Sequence, residues 1–207
     1  MYTPAHFAAS EEAIEALLRN SGAANLVTMT PDGLLATLLP FIYDPSVGDH
    51  GALQTHMARN NPQWSTPVTG EALMILQGPD AYISPSWYAS KAEHGRVVPT
   101  WNYSTAHVYG RLVIHDDREW LGKHVRQLSD HHESAMARPW SVDEAPQRFI
   151  AGQLKAIVGV ELVMTRVEAK AKLSQNRTPA DVEGVIAGLR SVGDAASAAD
   201  VERARNS

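Results

Sequence analysis

Short runs of alternating apolar and polar residues, joined by turns and never set out as regular strand–helix–strand units, restrict this chain most. Residues 24–29 and 34–43 flank Pro31-Asp32-Gly33. Asp-Gly supplies the backbone geometry of a hairpin turn, so strand, turn, strand is predicted there. Further strands are predicted at 53–57, 72–77, 81–84, 105–115 and 158–164, with Gly78-Pro79 separating the two in the middle. Ser10 can cap a helix carrying Ile14, Leu17 and Leu18, and helical spacing returns over 117–136, over 143–156 and after Thr178-Pro179. Residues 85–100 read as irregular. Such a pattern predicts a mainly β, antiparallel barrel with peripheral helices. It is expected to form a single domain over residues 1–192, with 193–207 as a loosely held tail.

Composition narrows the chemistry. The chain is 44% hydrophobic and 20% charged over 207 residues, enough to bury a sizeable core. It has no cysteine, so disulfides, thiolate metal sites and cysteine nucleophiles are excluded. No signal peptide is visible and no apolar run nears the ~20 residues that span a bilayer, so a cytoplasmic protein without membrane contact is expected. Net charge is −5, from 18 Lys+Arg against 23 Asp+Glu, with no basic block. Duplex DNA is bound largely by neutralising phosphates, so direct DNA binding starts at a disadvantage.

Four stretches could carry chemistry. Thr55-His56-Met57-Ala58-Arg59-Asn60-Asn61-Pro62 closes a strand, and His56 with Arg59 could pin a phosphate or simply decorate a solvated loop. Residues 82–88 and 93–103 hold clustered Trp and Tyr beside Ser, Thr and Asn. They suit either a planar heteroaromatic ligand or a loop closing the core or a subunit interface. Residues 170–177, Lys-Ala-Lys-Leu-Ser-Gln-Asn-Arg, lie between the last strand and last helix and offer donors for carbonyl or phosphate oxygens. Capping by Asn176 or Thr178 plus surface charge is the alternative. His124, His131, His132 and Glu133 share one helix without the i, i+4 pairing usual for zinc, and no metal site is predicted. Ser84, Ser86, His94 and Asp80 form no nucleophile elbow.

The opening Met1-Tyr2-Thr3-Pro4-Ala5-His6-Phe7, Ser84-Pro85-Ser86-Trp87-Tyr88, Glu93-His94-Gly95, Val97-Val98-Pro99-Thr100-Trp101-Asn102-Tyr103 and Lys172-Leu173-Ser174-Gln175-Asn176-Arg177 resemble the signature segments of the PaiB-like FMN-binding negative transcriptional regulators. The resemblance runs nearly end to end and keeps the order of segments. It implies an FMN-binding split β-barrel like that of flavin reductases, working as a homodimer with FMN at the subunit interface. By position it implies that Thr55, His56 and Arg59 meet the phosphate and ribityl chain. Trp101, Asn102, Tyr103, Lys172, Gln175 and Asn176 would lie near the flavin or the interface. The chain departs from the family at Ala169, where Gly is usual, at Ala171, where an aromatic is usual, and at Leu38, often His.

Three functions follow as expectations. The first is a flavin-binding protein, with FMN-dependent oxidoreductase activity as its possible enzymology and no catalytic residue assigned. The second is transcriptional repression, direct or through a partner, although no helix-turn-helix segment is visible. The third is haem binding, with His56, His94 and His107 as candidate axial ligands.

Overall fold

Alternation along the strands decides which side chains face inward. The computed structural model describes residues 1–20 and 22–206. In chain order the described elements are α1 (Glu11–Asn20), β1 (Ala23–Thr30), β2 (Gly33–Asp44), β3 (Ala52–Ala58), β4 (Ala72–Ile83), α2 (Ser90–His94), β5 (Thr100–His115), α3 (Arg118–Glu133), α4 (Gln147–Leu154), β6 (Ile157–Lys172), α5 (Pro179–Ser191) and α6 (Ala195–Asn206). The strands close into a barrel in the order β1-β2-β3-β6-β5-β4. The β1–β2, β1–β4, β2–β3 and β3–β6 ladders are antiparallel. The expected antiparallel barrel with peripheral helices is the observed fold.

Two compact units share these elements. The larger comprises residues 18–76 and 107–167. There β1 buries Ala24, Leu26, Thr28 and Thr30 and turns Asn25, Val27 and Met29 outward, as a period of two requires. Leu39 and Phe41 of β2, Leu53 and Met57 of β3, Met74 and Leu76 of β4, Val108 of β5 and Val158, Val160 and Leu162 of β6 complete this core. Leu121 and Leu128 add the apolar side of α3. Asp117 caps that helix by accepting from the Trp120 amide.

The smaller unit comprises residues 1–17, 77–106 and 168–207. Its core joins Ala81, Ile83 and Tyr88 to Ala171 and Leu173, to Val182, Val185, Ile186 and Leu189 of α5, and to Ala198 and Val201 of α6. Thr178 caps α5 through the Asp181 amide, with Pro179 at the first helical position. Ser90 donates its amide and hydroxyl to the Asp181 carboxylate, both at 2.9 Å, and so ties α2 to the start of α5.

Several boundaries differ from the sequence reading for physical reasons. Gly78-Pro79 does not break β4; the in–out alternation slips by one residue between buried Leu76 and buried Ala81, with Gln77, Pro79 and Asp80 outside. Pro is tolerated at such an irregular, outward point of a strand. A Cβ at Gly78 would lie 3.2 Å from Leu17 and 3.3 Å from Ser104, so a small residue suits the close approach there. Strand β5 starts five residues before the expected 105, and β6 runs on to Lys172, placing Lys170 and Lys172 on a strand rather than in a loop. The expected 143–156 helix is a short 3-10 turn, capped reciprocally by Ser141 and Glu144, followed by α4. Ala195–Asn206, within the expected loose tail, form α6, whose Ala198 and Val201 are buried.

The segment Ser84–Tyr88 packs on α5 through two glycines one turn apart. A Cβ at Gly184 would lie 1.9 Å from the Trp87 carbonyl oxygen, and one at Gly188 2.2 Å from its ring. Gly184→Ala is therefore expected to destabilise the protein by about 1–3 kcal/mol through overpacking. Gly152→Ala, on α4 with no heavy atom within 4 Å of the new Cβ, should instead stabilise by up to ~1 kcal/mol. Denaturant unfolding of both variants checks the pair.

Candidate functional site

The nine residues picked from the sequence divide between the units: Thr55, His56 and Arg59 lie in the larger, the other six in the smaller. In the larger unit, β3 pairs with β6 so that Thr55 faces Val160 and His56 faces Gly159. Thr55 is buried, and its hydroxyl donates to the Pro40 carbonyl at 2.6 Å. Arg59 is equally occupied. Its Nε donates to the Lys155 carbonyl (2.8 Å), Nη1 to Asp116 Oδ2 (3.1 Å), and Nη2 to Asp116 Oδ1 (2.5 Å) and the Ile157 carbonyl (3.0 Å). Four of the five guanidinium N–H groups are spent. The hydrogen bonds to Asp116 raise the Arg59 pKa and lower that of the carboxyl. The phosphate role expected for Thr55 and Arg59 therefore has little left to work with. A phosphate at Arg59 would find one free N–H, on Nη1, beside the Asp116 carboxylate.

His56 is half-buried, and burial lowers its pKa. Its Nδ1 lies 3.1 Å from Nε2 of buried His124 on α3. Of the other imidazoles considered for haem, His94 is exposed and accepts from the Arg96 amide through Nδ1 at 3.0 Å, and the His107 ring meets Tyr109 edge-on.

The smaller unit gathers the remaining six. Asn102 is buried on β5 and exchanges hydrogen bonds with the Ser174 hydroxyl, at 3.0 and 3.2 Å. Ser174 has φ 68°, a left-handed conformation uncommon outside glycine, and Asn102 pins it. Gln175 closes the same turn, accepting from the Leu173 amide at 2.7 Å and donating to the Ala171 carbonyl at 2.6 Å. Asn102 and Gln175 thus hold the loop in shape, while Asn176 stands exposed beside them.

Lys172, the last residue of β6, donates to Thr100 Oγ1 and to the Trp101 carbonyl at 2.7 Å. Burial lowers its pKa; Lys170 and Arg177 push the same way, and Tyr103 opposes them. Lys170, two residues back and so on the same face of the strand, lies over rings: its ammonium is 5.4 Å from the Tyr103 centroid, 5.9 Å from Phe7 and 6.0 Å from Tyr2. Among the described residues no carboxylate pairs with Lys170 or Lys172. Lys170 belongs to the donor-rich 170–177 stretch but not to the nine positions that the resemblance implies for the flavin, although Lys170-x-Lys172 on a strand is a readable two-residue repeat.

The aromatics sort into two kinds. Trp87 and Tyr88 are structural, the first on the α5 glycines and the second buried with Arg177 4.5 Å from its ring. Tyr82 and Trp101 are about half exposed and meet edge to face at 6.1 Å, a flat apolar surface next to the Lys172 hydrogen bond. Ala171 is part of the core, and Leu38 points outward from β2.

Residues 1–166 match the family described as "Putative FMN-binding domain". The "Protease synthase and sporulation protein PAI 2" of Bacillus subtilis is 32% identical over 92% of this chain and 89% of its own. An uncharacterised protein of Emericella nidulans is 30% identical over 91% and 89%. Among solved structures, a conserved hypothetical protein of Mycobacterium tuberculosis superposes with a TM-score of 0.56 at 15% identity, covering 86% of this chain and 94% of that one. A flavocytochrome of Azotobacter vinelandii gives 0.52 at 14% identity, covering 82% and 68%. At such identities the structural likeness is one of fold.

The Asn102–Ser174 pair gives a direct test of how the loop is held. Asn102→Ala should destabilise by about 1–3 kcal/mol, because it leaves a buried hydroxyl short of a partner. Adding Ser174→Ala should cost less than the sum of the two single changes, and a double-mutant cycle in urea measures that coupling.

Proposed function

Because the chain belongs to the FMN-binding domain family, we propose that it is a flavin-binding split-barrel protein that works as a homodimer and uses FMN as an oxidoreductase cofactor. The observation that carries this reading is the pair Lys170 and Lys172, two ammonium groups on one face of β6 with no carboxylate against them among the described residues. Unpaired cations beside exposed Trp101 and Tyr82 suit a ligand with an anionic end and a planar ring. Lys172 keeps one N–H beyond the two it donates to Thr100 and Trp101. Lys170 and Lys172 would hold the phosphate, Trp101 and Tyr103 the ring, and Asn176 a carbonyl, on a loop kept rigid by Asn102 and Gln175. FMN would supply reversible electron uptake, and the protein binding and orientation.

A second copy of the chain has a surface to cover. On the outer face of β1 and β2, Met29 pairs with Leu34, Val27 with Ala36 and Asn25 with Leu38. Met29, Leu34 and Leu38 are 47%, 65% and 63% exposed. Contiguous apolar side chains on a monomer's surface mark an interaction site. A cytoplasmic location is part of the same reading, and no described helix is long and apolar enough to cross a membrane. Regulation, in this reading, acts through a partner or through the flavin rather than by direct DNA contact.

Two measurements test the proposal. Lys170→Gln and Lys172→Gln should each weaken FMN by about 10- to 100-fold, the ~1.5–3 kcal/mol of a charge-assisted hydrogen bond, with riboflavin little affected. Equal losses for both ligands would show that the lysines act on the fold or the ring. Leu38→Glu should turn a dimer into a monomer in light scattering at micromolar concentration, and a wild-type monomer would remove the homodimer.

A further inference from the structure

The larger unit holds an assembly of ionisable groups that the flavin reading leaves unused. On α3, Trp120 lies between two imidazoles. His115, from the end of β5, stacks on it at 4.1 Å and 4° between planes, and His124, one helical turn on, at 5.1 Å and 17°. The indole sits on Gly159 of β6, where a Cβ would come within 2.3 Å of the ring. His124 then meets His56 of β3, Nε2 to Nδ1, at 3.1 Å. Four elements, α3, β3, β5 and β6, thus meet in one column of rings.

The hydrogen bonds restrict where protons can stand. His124 is buried and its Nδ1 has no partner. A buried donor without an acceptor is costly, so the proton of His124 stands on Nε2 and is given to His56 Nδ1. His56 then carries its own proton on Nε2. One more proton has no good place. On His56 Nδ1 it would oppose the His124 N–H, and on His124 Nδ1 it would make a buried, unpaired donor on a buried charge.

The charged groups around the column do not relieve this. Glu161 of β6 faces His115 at 3.2 Å and Gln54 at 2.9 Å. Asp44 of β2 is engaged by Ser46 and Gln54, and Lys123 of α3 acts on it through space. Asp116 pairs with Arg59. Before α4, Asp143 pairs with Arg126 and Glu144 closes the Ser141 cap, while Arg148 of α4 adds only positive charge. Among the described residues no carboxylate contacts His124.

We propose that this column is an acid-sensitive latch, which holds α3 on the strands and releases it when the His56–His124 pair takes up a proton. Releasing α3 hydrates the imidazoles and removes the conflict between their N–H groups. Burial first, and then His56 and His115, lower the His124 pKa from 6.5 to about 3. A group held neutral in this way stabilises the closed state fully above its unfolded value of 6.5, and that stabilisation is lost as pH falls from 6.5 towards about 3. The latch does not depend on the flavin reading.

Hydrogen exchange of the full chain, followed by mass spectrometry at pH 7.5 and 5.0 and corrected for intrinsic rates, tests it. Opening of α3 should rise on the order of 30-fold at pH 5.0, the factor set by titration near 3 closed and 6.5 open. The β1–β2 hairpin should not change in step. His124→Gln, which can still donate to His56 but cannot be protonated, should reduce the difference sharply, leaving only what His56 contributes. Equal acceleration of α3 and the hairpin, or an unchanged acid response in His124→Gln, overturns the latch. Should that variant not fold, NMR titration of the wild-type imidazoles decides. A His124 that stays neutral until α3 opens supports the latch, and one that titrates near 6.5 with α3 closed overturns it.

Discussion

Closure of the ring rests on the β3–β6 ladder, whose strands are far apart in the chain. Gln54 and Glu161 are direct partners in it, 107 residues apart, and their side chains hydrogen-bond in the buried interior. Bringing such distant segments together costs loop entropy before any contact repays it. The ladder therefore needs side chains that fit in only one register. Gln54 and Glu161 meet that need, because a shift of one residue would send the two side chains to opposite faces and break their hydrogen bond. The same register sets Gly159 opposite His56, and the space above Gly159 admits the Trp120 indole. Docking of α3 and the approach of His124 to His56 both follow from it.

Local chemistry made much of this fold legible. The hairpin at Pro31-Asp32 joins β1 to β2, and Gly33, φ +118°, opens β2 as the Asp-Gly reading required. The helix start at Thr178-Pro179, the amphipathic α1 and the helical spacing of α3 were also written in short-range pattern. Failures came where tertiary contact overrides local preference. Gly78-Pro79 reads as a break, yet neighbours on both sides carry β4 through it. Residues 195–206 read as a loose Ala- and Asp-rich tail because no strong apolar stripe marks them. The small Ala198 and a single Val201 suffice to seat α6 on α5.

The candidate site was legible by residue type and not by commitment. Arg59, Thr55, Asn102 and Gln175 are donors suited to a phosphate or a flavin, and the sequence cannot say that each is already engaged. Arg59 meets Asp116 and two carbonyls from distant segments, and Asn102 meets Ser174 across 72 residues. A donor's worth to a ligand depends on what it would give up. By that measure Lys170, which lies over rings and has no carboxylate partner among the described residues, has more to offer than Arg59, whose guanidinium is nearly saturated.

Charge distribution carries the same argument to the scale of the molecule. The chain is acidic overall, at −5, yet it leaves two ammonium groups unpaired on one strand face of the smaller unit. A long polyanion such as duplex DNA spans many charges at once, so the net negative charge of the chain works against it while only two lysines attract it. A compact anion on a small molecule meets only the local field. Binding there would also offset the repulsion of Lys170 and Arg177, which adds to burial in lowering the Lys172 pKa. In the proposed reading, a chain of net charge −5 with one local pair of lysines favours a phosphorylated cofactor over nucleic acid. It does so through the same unpaired lysines that single out this face of β6.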